Sequence, residues 1–567
     1  MRLNFNKKLF LILVLLLFLP FFISADIQGD TKTFFVDPTY DLKGREKVTA
    51  ALQRISDRGY FYLEKEWYDN LTEGEKEEVK QNLVELSQEF DNTIYPQLTS
   101  TFGQEWNPGI DNDSRITILF HRLKKGTAGY FRSENEYPKI QSLNSNEREM
   151  VYLAAESLNS EIVKSYLAHE FTHLITFNQK ERIRGKVEEI WLNELRAEYA
   201  PTLLGYDDEY QGSNLQQRVR QFISSPSDSL TEWQNQKADY GVINLFGQYL
   251  VDHYGVQILV DSLKSKKTGI ESINESLKKH DFKEDFSQIF TDWTITLFLN
   301  DCDVNAKYCY KNQNLKGFKI TPSLILLPST QKTQFSLSYS TKEWSGNWYQ
   351  ILGEEGKLNL KFNGAEGVKF KVPYILCQDT QNCQVNYLKL NEEEDGEISF
   401  KDFGKEWTSL TLIPSIQPEY STLNFNGEGM LWSFSLFISM ETKGAQEKLI
   451  EELKAQISAL KARIAELKAK IAEILKKRIS CQKFENNLYY GMKNEEVRCL
   501  QEFLRAQGEK IYPEGLVTGF FGPLTRAAVI RFQEKYASEI LEPLGLSKGT
   551  GFVGPSTRDK LNQLLAQ

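Results

Sequence analysis

Five histidines occur in 567 residues, and two of them, His169 and His173, stand four apart around Glu170 in "AHEFTH". On a helix, residues four apart project from one face, so both imidazoles can reach one metal ion. Neutral imidazole suits zinc, and a hydrolytic zinc site needs three protein ligands with a fourth position open to water. Zinc lowers the pKa of such a water to about 7 and polarises a peptide carbonyl. Glu170, beside the first histidine, is placed to take the proton and pass it to a leaving amine. The same five-residue pattern arises by chance in roughly a few per thousand chains of this composition, so its surroundings must decide.

Those surroundings favour a site. Ile162, Val163, Tyr166, Leu167, Phe171, Leu174 and Ile175 surround the motif with apolar contacts, which predicts a buried helix. Buried histidines without a partner are costly, and a metal supplies one. Next comes "EIWLNELRAEYAP", residues 189 to 201, with Glu194 and Glu198 four apart on a second helical pattern. Glu194 follows His173 by 21 residues, enough for the first helix to end near Gly185 and a second to return beside it. Glu194 then completes a His169, His173, Glu194 ligand set. Glu198, one turn on, can accept from the outer nitrogen of a ligand histidine.

"HEFTH" followed by "NELRAE" resembles the gluzincins, the thermolysin-like zinc metallopeptidases, whose second motif is Asn-Glu-x-x-x-Asp. Glu198 stands where Asp is commoner. The fuller pattern, "ITILFHRLKKGTAGYF", "NSNEREMVYL", "WLNELRAEYA" and "DYGVINLFGQYLVDHYG", resembles hyicolysin-like secreted bacterial peptidases over about 110 to 300. The resemblance implies an α+β peptidase domain, one catalytic Zn2+, a peptide or protein substrate, and "EMVYLAA" as the edge strand along which an extended peptide aligns. It also points to Tyr240 as donor to the tetrahedral intermediate, with Tyr199, His253 and Tyr130 as rivals. "GIDNDSR" carries Asp111 and Asp113 but lacks the later glycine and glutamate of an EF-hand loop. A polar turn before a strand explains it better than a calcium site.

The elements that must position these groups follow from periodicity. "REKVTAALQRISDRGYFYLEKEWYDNL" and "EKEEVKQNLVELSQEFDNTIYPQL" carry apolar residues at helical spacing, and no proline interrupts either before Pro96. "RITILFHRL" and "EMVYLAAE" read as short buried strands, and helical patterns recur at 215 to 223, 239 to 254 and 284 to 299. From 316 to 440 short alternating runs separated by Gly, Asn and Asp turns predict an all-β sandwich, so the peptidase domain is expected over 26–315.

Residues 445–479 change period again. Ile450, Leu453, Ile457, Leu460, Ile464, Leu467, Ile471 and Ile474 step by three and four, a heptad with Ile at a and mostly Leu at d. This predicts a helical, coiled-coil-like stalk. In a parallel homodimer, however, Lys454, Lys461 and Lys468 at e would face Arg463, Lys470 and Lys477 at g, and like charges repel. A lone or heterotypic stalk, supported by Glu466–Lys470 and Glu473–Lys477, is the rival to dimerisation.

The last segment, 481–567, resembles the peptidoglycan-binding-like domain, a small three-helix module. Its two "GFxGPxTR" turns repeat around Gly519 and Gly551, and Gln501, Thr525, Gln533 and Thr557 match. The resemblance implies a wall partner, with both threonines capping or forming turns near helix starts. At the other end, Arg2, Lys7 and Lys8 precede a run of Leu, Phe, Ile and Val to Phe22, with Ser24 and Ala25 as a cleavage site. Residues 1–25 therefore read as a secretory signal peptide, and the rival is an uncleaved membrane anchor. The oxidising compartment that export implies suits six cysteines falling in local pairs, Cys302 with Cys309, Cys377 with Cys383, and Cys481 with Cys499. A net charge of -9 argues against a nucleic-acid partner. The multidomain chain thus reads as an exported, cell-wall-associated zinc metalloendopeptidase. The competing readings are a catalytically silent wall adhesin and a zinc peptidase that cuts peptidoglycan crosslinks.

Overall fold

The computed structural model describes residues 26–326, 332–353, 355–418, 429–442, 446–478 and 481–566. The expected signal peptide, 1–25, lies outside them. Two compact units result, one ending at Ala445 and one beginning at Gln446.

The first unit is built on a six-stranded sheet of β1 (Thr31–Phe35), β2 (Lys47–Ile55), β3 (Gly59–Glu64), β4 (Ile116–His121), β5 (Gly129–Phe131) and β6 (Met150–Ala154), ordered β1-β2-β3-β4-β6-β5. β3, β4 and β6 run parallel, while β1, β2 and β5 are antiparallel to their neighbours. The segment from 47 to 64 is thus a β-hairpin, not the expected helix. Val48, Leu52 and Ile55 satisfy a helical spacing, but Val48, Ala50 and Leu52 also alternate inward, and strands on both sides supply partners. Only Lys65–Asp69 of that stretch is helical. The following pattern behaves as expected: Glu73–Glu89 is a helix, opened by a Thr72–Glu75 capping box.

Both faces of the sheet are covered, which explains the nearly unbroken apolar runs of its central strands. Phe61, Leu63, Ile118, Phe120, Val151 and Leu153 face a large helical core. Their neighbours Tyr60, Tyr62, Leu119, Met150 and Tyr152 face a smaller core with Phe34, Val48 and Tyr130. A helix spanning Val163–Thr176, here the histidine helix, lies against β5 and β6. Leu167, Phe171 and Leu174 are fully buried there, each worth about 1.5–3 kcal/mol of apolar burial. Packed against it is the glutamate helix, Ile190–Leu203, followed by helices Asn214–Ser224, Lys237–Tyr254 and Phe286–Leu299. β6 lies between β4 and β5, so "EMVYLAA" is an inner strand and β5 is the edge.

Further along, a four-stranded sheet ordered β14 (Asp395–Phe403), β10 (Gly356–Gly364), β17 (Trp432–Thr442), β8 (Lys332–Thr341) shares a core with a five-stranded one. The latter is ordered β13 (Cys383–Tyr387), β12 (Pro373–Cys377), β15 (Ser409–Leu412), β9 (Tyr349–Leu352), β7 (Leu324–Leu326), and β11 (Phe370–Lys371) pairs antiparallel with β16 (Ser415–Ile416). Leu358, Phe362 and Leu436 of the first meet Ile351, Leu376 and Leu410 of the second. Trp344 and Trp348 are instead buried in the helical core, where the Trp348 indole donates to the Thr294 carbonyl at 2.9 Å. The β sheets and the α+β part therefore make one unit.

The second unit opens with a 33-residue helix, Gln446–Arg478, and continues into helices Glu495–Ala506, Pro523–Lys535 and Pro555–Leu565 around a core of Leu500, Leu504, Phe532 and Leu561. An internal repeat is visible in its polar core. The Gln501 amide donates to the Phe520 carbonyl and Thr525 hydroxyl, and its oxygen accepts from Thr518 and Gly519 N–H, all at 2.7–2.8 Å. Gln533 makes the same four bonds to Phe552, Thr557, Thr550 and Gly551 at 2.8–3.0 Å. Thr525 and Thr557 thus serve a buried glutamine rather than cap their helices, whose N-caps are Gly522 and Gly554. Both Gly519 and Gly551 take left-handed φ of +73°, as the tight turn over each glutamine demands.

Three disulfides link the six cysteines in the expected local pairs, Cys302–Cys309, Cys377–Cys383 and Cys481–Cys499. No helix among the described residues is long and apolar enough to cross a membrane.

Candidate metal centre

The histidine helix presents His169 and His173 side by side, with their Nε2 atoms 3.2 Å apart and their rings near perpendicular at 77°. From the neighbouring helix Glu194 Oε2 comes within 3.2 Å of His169 Nε2 and 3.6 Å of His173 Nε2. Ligands held about 2.0–2.1 Å from a tetrahedral zinc stand roughly 3.3 Å from one another, so these three separations fit one ion. The outer nitrogens fix which way the lone pairs point. His173 Nδ1 donates to the Asn193 amide oxygen at 3.1 Å, and His169 Nδ1 to Glu198 Oε1 at 3.2 Å. In the neutral tautomer both Nε2 atoms are left as acceptors facing each other and Glu194, a placement that suits one shared cation. Glu194 Oε2 is buried and has no hydrogen-bond donor, as a ligand oxygen would be.

A ring of further groups holds this set. Glu198 is fully buried, and Arg218 grips it with Nη2 to Oε1 at 2.6 Å and Nε to Oε2 at 2.7 Å. Asn214 adds a third donor to Oε2 at 2.9 Å. Burial opposes charge on Glu198, yet Arg218 and His169 drive its pKa far down. Glu194 is likewise held at about 2 against burial by the two imidazoles. Burial also opposes charge on His169, but Glu194 and Glu198 push its pKa up to about 10. The cluster is built to hold positive charge, and a metal binding there displaces protons.

Glu170 lies on the other side, against the edge strand. Burial pushes its carboxyl up to about 7, with His169 and His173 restraining the rise. A Cβ at Gly129 of β5 would stand 2.8 Å from Glu170 Oε1 and 2.7 Å from the Tyr152 carbonyl, so only glycine lets this strand approach. Phe131, two residues on, stacks on His173 with centroids 6.4 Å apart.

A cleft of about 1150 Å³ opens over these groups, lined among others by Tyr40, Tyr130, Arg218, Asn235 and Tyr240. Tyr240 sits in the first turn of the Lys237–Tyr254 helix, and its hydroxyl donates to Asn235 at 3.1 Å. Asn235 adopts a left-handed φ of +57°, which that short polar side chain tolerates. Burial, then Glu194 and Glu198, raise the Tyr240 pKa, so it stays a protonated donor. Of its rivals, Tyr130 also lines the cleft, but its hydroxyl is taken by His121 Nε2 at 3.0 Å and by Asp37 N–H at 3.2 Å. Tyr199 is not among the lining residues, and His253 turns away to the Cys309 carbonyl at 2.8 Å.

The sequence reading missed Tyr40 and Arg218. Tyr40 stacks on Tyr130 at 5.0 Å and faces Asn235, Glu194 and Glu170. Its loop is held by Arg45, which bridges Asp41 at 2.7 Å and Glu64 at 2.6 Å. Neither residue sits in a motif, and only the folding of distant segments onto the cleft reveals them. At 111 to 115 a polar turn is found. Asp113 accepts from Tyr60 at 2.6 Å and from Arg115 N–H at 3.0 Å, and nothing there assembles a calcium site. His169, Glu170 and His173 also bring a potential ligand atom each within 4.8 Å of one another, so the motif itself can gather around an ion beside Glu194.

The geometry is that of an HExxH-type zinc-binding site on a mixed α+β scaffold. A family model described as "Putative peptidoglycan binding domain" matches residues 493–561. The chain is 27% identical over 240 residues to the neutral metalloprotease ShpI of Staphylococcus hyicus, covering 37% of this chain and 52% of that protein. It thus spans about half the length of this relative, which marks a distant metalloprotease-like homologue rather than a specific hyicolysin. Among solved structures, a family GH115 4-O-methyl-α-glucuronidase aligns over 57% of this chain and 51% of its own at 8% identity. Its TM-score of 0.11 carries no information about fold.

Proposed function

We propose that the first unit is an exported zinc metalloendopeptidase that the second unit directs to the cell wall. The observation that carries this reading is the convergence of His169 Nε2, His173 Nε2 and Glu194 Oε2 at zinc-ligand separations, beside a carboxyl, Glu170, that binds none of the outer nitrogens. A bound zinc would supply Lewis acidity at the scissile carbonyl and lower the pKa of the attacking water.

The chain's own groups do the rest. An extended peptide aligns along β5, the free edge of the sheet, whose Gly129 lies against Glu170. Glu170 accepts the proton of the attacking water and hands it to the leaving nitrogen. Tyr240, a protonated phenol in the same cleft, donates to the oxygen that gains charge. Glu198, anchored by Arg218, keeps His169 in the tautomer that points Nε2 inward.

The match of 493–561 to a peptidoglycan-binding family favours a second reading for the substrate, peptide crosslinks of the wall itself. One experiment tests both. The purified chain is incubated with casein and, separately, with isolated peptidoglycan, with and without a zinc chelator. Chelator-sensitive casein cleavage supports the general endopeptidase, and new muropeptides without casein cleavage support the wall substrate. A metal-free protein inert on both would leave a wall-binding adhesin.

A further inference from the structure

The long helix of the second unit, Gln446–Arg478, carries an apolar stripe that no other described residue of that unit covers. Ile450, Ile457, Ile464 and Ile471 at the a positions are 50–55% exposed, and Leu460 and Leu467 at d are 63% and 46% exposed. A single contiguous apolar stripe of this length on a soluble chain marks a contact surface. Its period of seven with Ile at a and Leu at d is the pattern of a two-stranded parallel coiled coil.

The charges beside the stripe say what kind of helix fits. Lys454, Lys461 and Lys468 occupy successive e positions, and Arg463 and Lys470 successive g positions; all are exposed. Along this helix nine Lys and Arg stand against five Glu, whereas the chain as a whole carries -9. Four of the glutamates, Glu451, Glu452, Glu466 and Glu473, fall at b and c, away from the seam, and only Glu447, in the first turn, falls at e. Glu466 at c is shared by Arg463 at 2.9 Å and Lys470 at 2.5 Å, so one acid serves two cations. Lys461 and Lys468 have no ion-pair partner among the described residues. In a parallel pair each g residue meets the following e′ residue of the partner. A second copy would set Arg463 against Lys468, a repulsive pair, and would offer no acid to Lys454, Lys461 or Lys470, whose contacts would be Leu449, Gln456 and Leu475.

We propose that this stripe is the docking surface for a helix of a different chain, apolar at a and d and acidic at e and g, and not for a second copy. Charge complementarity selects the partner, and the Ile/Leu seam limits it to one helix. Coupled to the wall-binding-type domain in the same unit, the seam would attach a second polypeptide to this chain. The proposal is independent of whether the first unit is a peptidase.

The test uses the full chain and defined probes. One probe is a four-heptad peptide with Ile at a, Leu at d and Glu at every e and g; its control has Lys at e and g. Anionic phosphatidylglycerol vesicles are the third probe, and sedimentation equilibrium of the chain alone is the reference. The expected result is a monomeric chain that binds the acidic peptide one-to-one, about tenfold or more tighter than the basic peptide, with the difference shrinking in about 1 M salt. The variant with Lys461, Arg463, Lys468 and Lys470 all changed to Glu keeps the helix and should reverse the preference. A stable homodimer, equal affinity for both peptides, an unreversed preference in the variant, or binding to vesicles alone would each overturn the proposal.

Discussion

Glu194 and Glu198 share the first unit with Glu136 and Glu149; Glu198, Glu136 and Glu149 are buried, and Glu194 is mostly so at the floor of the cleft. Burial acts on the two pairs with opposite outcomes. Around Glu194 and Glu198 stand two imidazoles and the Arg218 guanidinium, and these hold both acids ionised against burial. Around Glu149 the backbone donor is Ile110 N–H at 2.7 Å, and the neighbour that Glu136 meets is the Glu149 carboxyl itself. Burial there raises Glu149 to about 7 and Glu136 well above the carboxylate range, each acid reinforced by neighbouring carboxyls. The same residue type therefore holds charge in one cluster and a proton in the other. Cations in reach, not depth, make the difference.

That contrast can be broken most severely at the first cluster. His169→Ala and Glu194→Ala each remove a proposed ligand and should abolish zinc binding and all peptidase turnover, read by metal analysis and a chelator-controlled cleavage assay. Tyr240→Phe is expected to keep zinc and KM while lowering kcat about 10²–10³-fold. Unchanged turnover would remove Tyr240 from the mechanism. Glu198→Ala leaves the three ligands but frees His169 Nδ1 and strands Arg218, so zinc affinity should fall about 10–100-fold in a competition titration.

The second cluster gives the smallest effect, and its sign is set by titration. Glu149 has a folded-state pKa raised to about 7, above its ordinary 4.5, because burial penalises the charged form. Its contribution to stability is therefore fully present below about 4.5 and lost as pH rises through 7. Glu149→Gln mimics the protonated acid, still accepting from Ile110 and now donating towards Glu136. The variant should melt a few degrees above the parent at pH 8 and show little difference at pH 5. Equal melting curves at pH 8 would mean that burial does not hold the proton on Glu149 in the folded chain.

How legible each cluster was depends on the distance its members span in the chain. The convergence of His169, Glu170, His173 and Glu194 was readable because helical spacing alone brings two imidazoles to one face and a short return brings Glu194 beside them. Arg218, Tyr40 and Asn235 were not, since each arrives from a segment whose position only the sheet and helix packing define. Glu136 and Glu149 carried no signal, as isolated glutamates look like solvated ones. In the fold, strands between 316 and 440 could be read from alternation between turns, as in β10, where Leu358, Leu360 and Phe362 point inward between outward polar residues. Two features resisted. The 47–64 hairpin satisfies helical and strand periods alike, and the three-residue β5 is too short to signal itself, which left β6 to be mistaken for the edge.

The most direct test of the central claim is zinc content beside turnover in Glu170→Gln. The substitution keeps the size of the side chain and all three ligands, but removes the group that accepts the proton. The account predicts one zinc per chain in both parent and variant, with turnover lower in the variant by about 10²–10⁴-fold. A variant that keeps zinc and cleaves as fast as the parent, or a parent that binds no zinc, would contradict it.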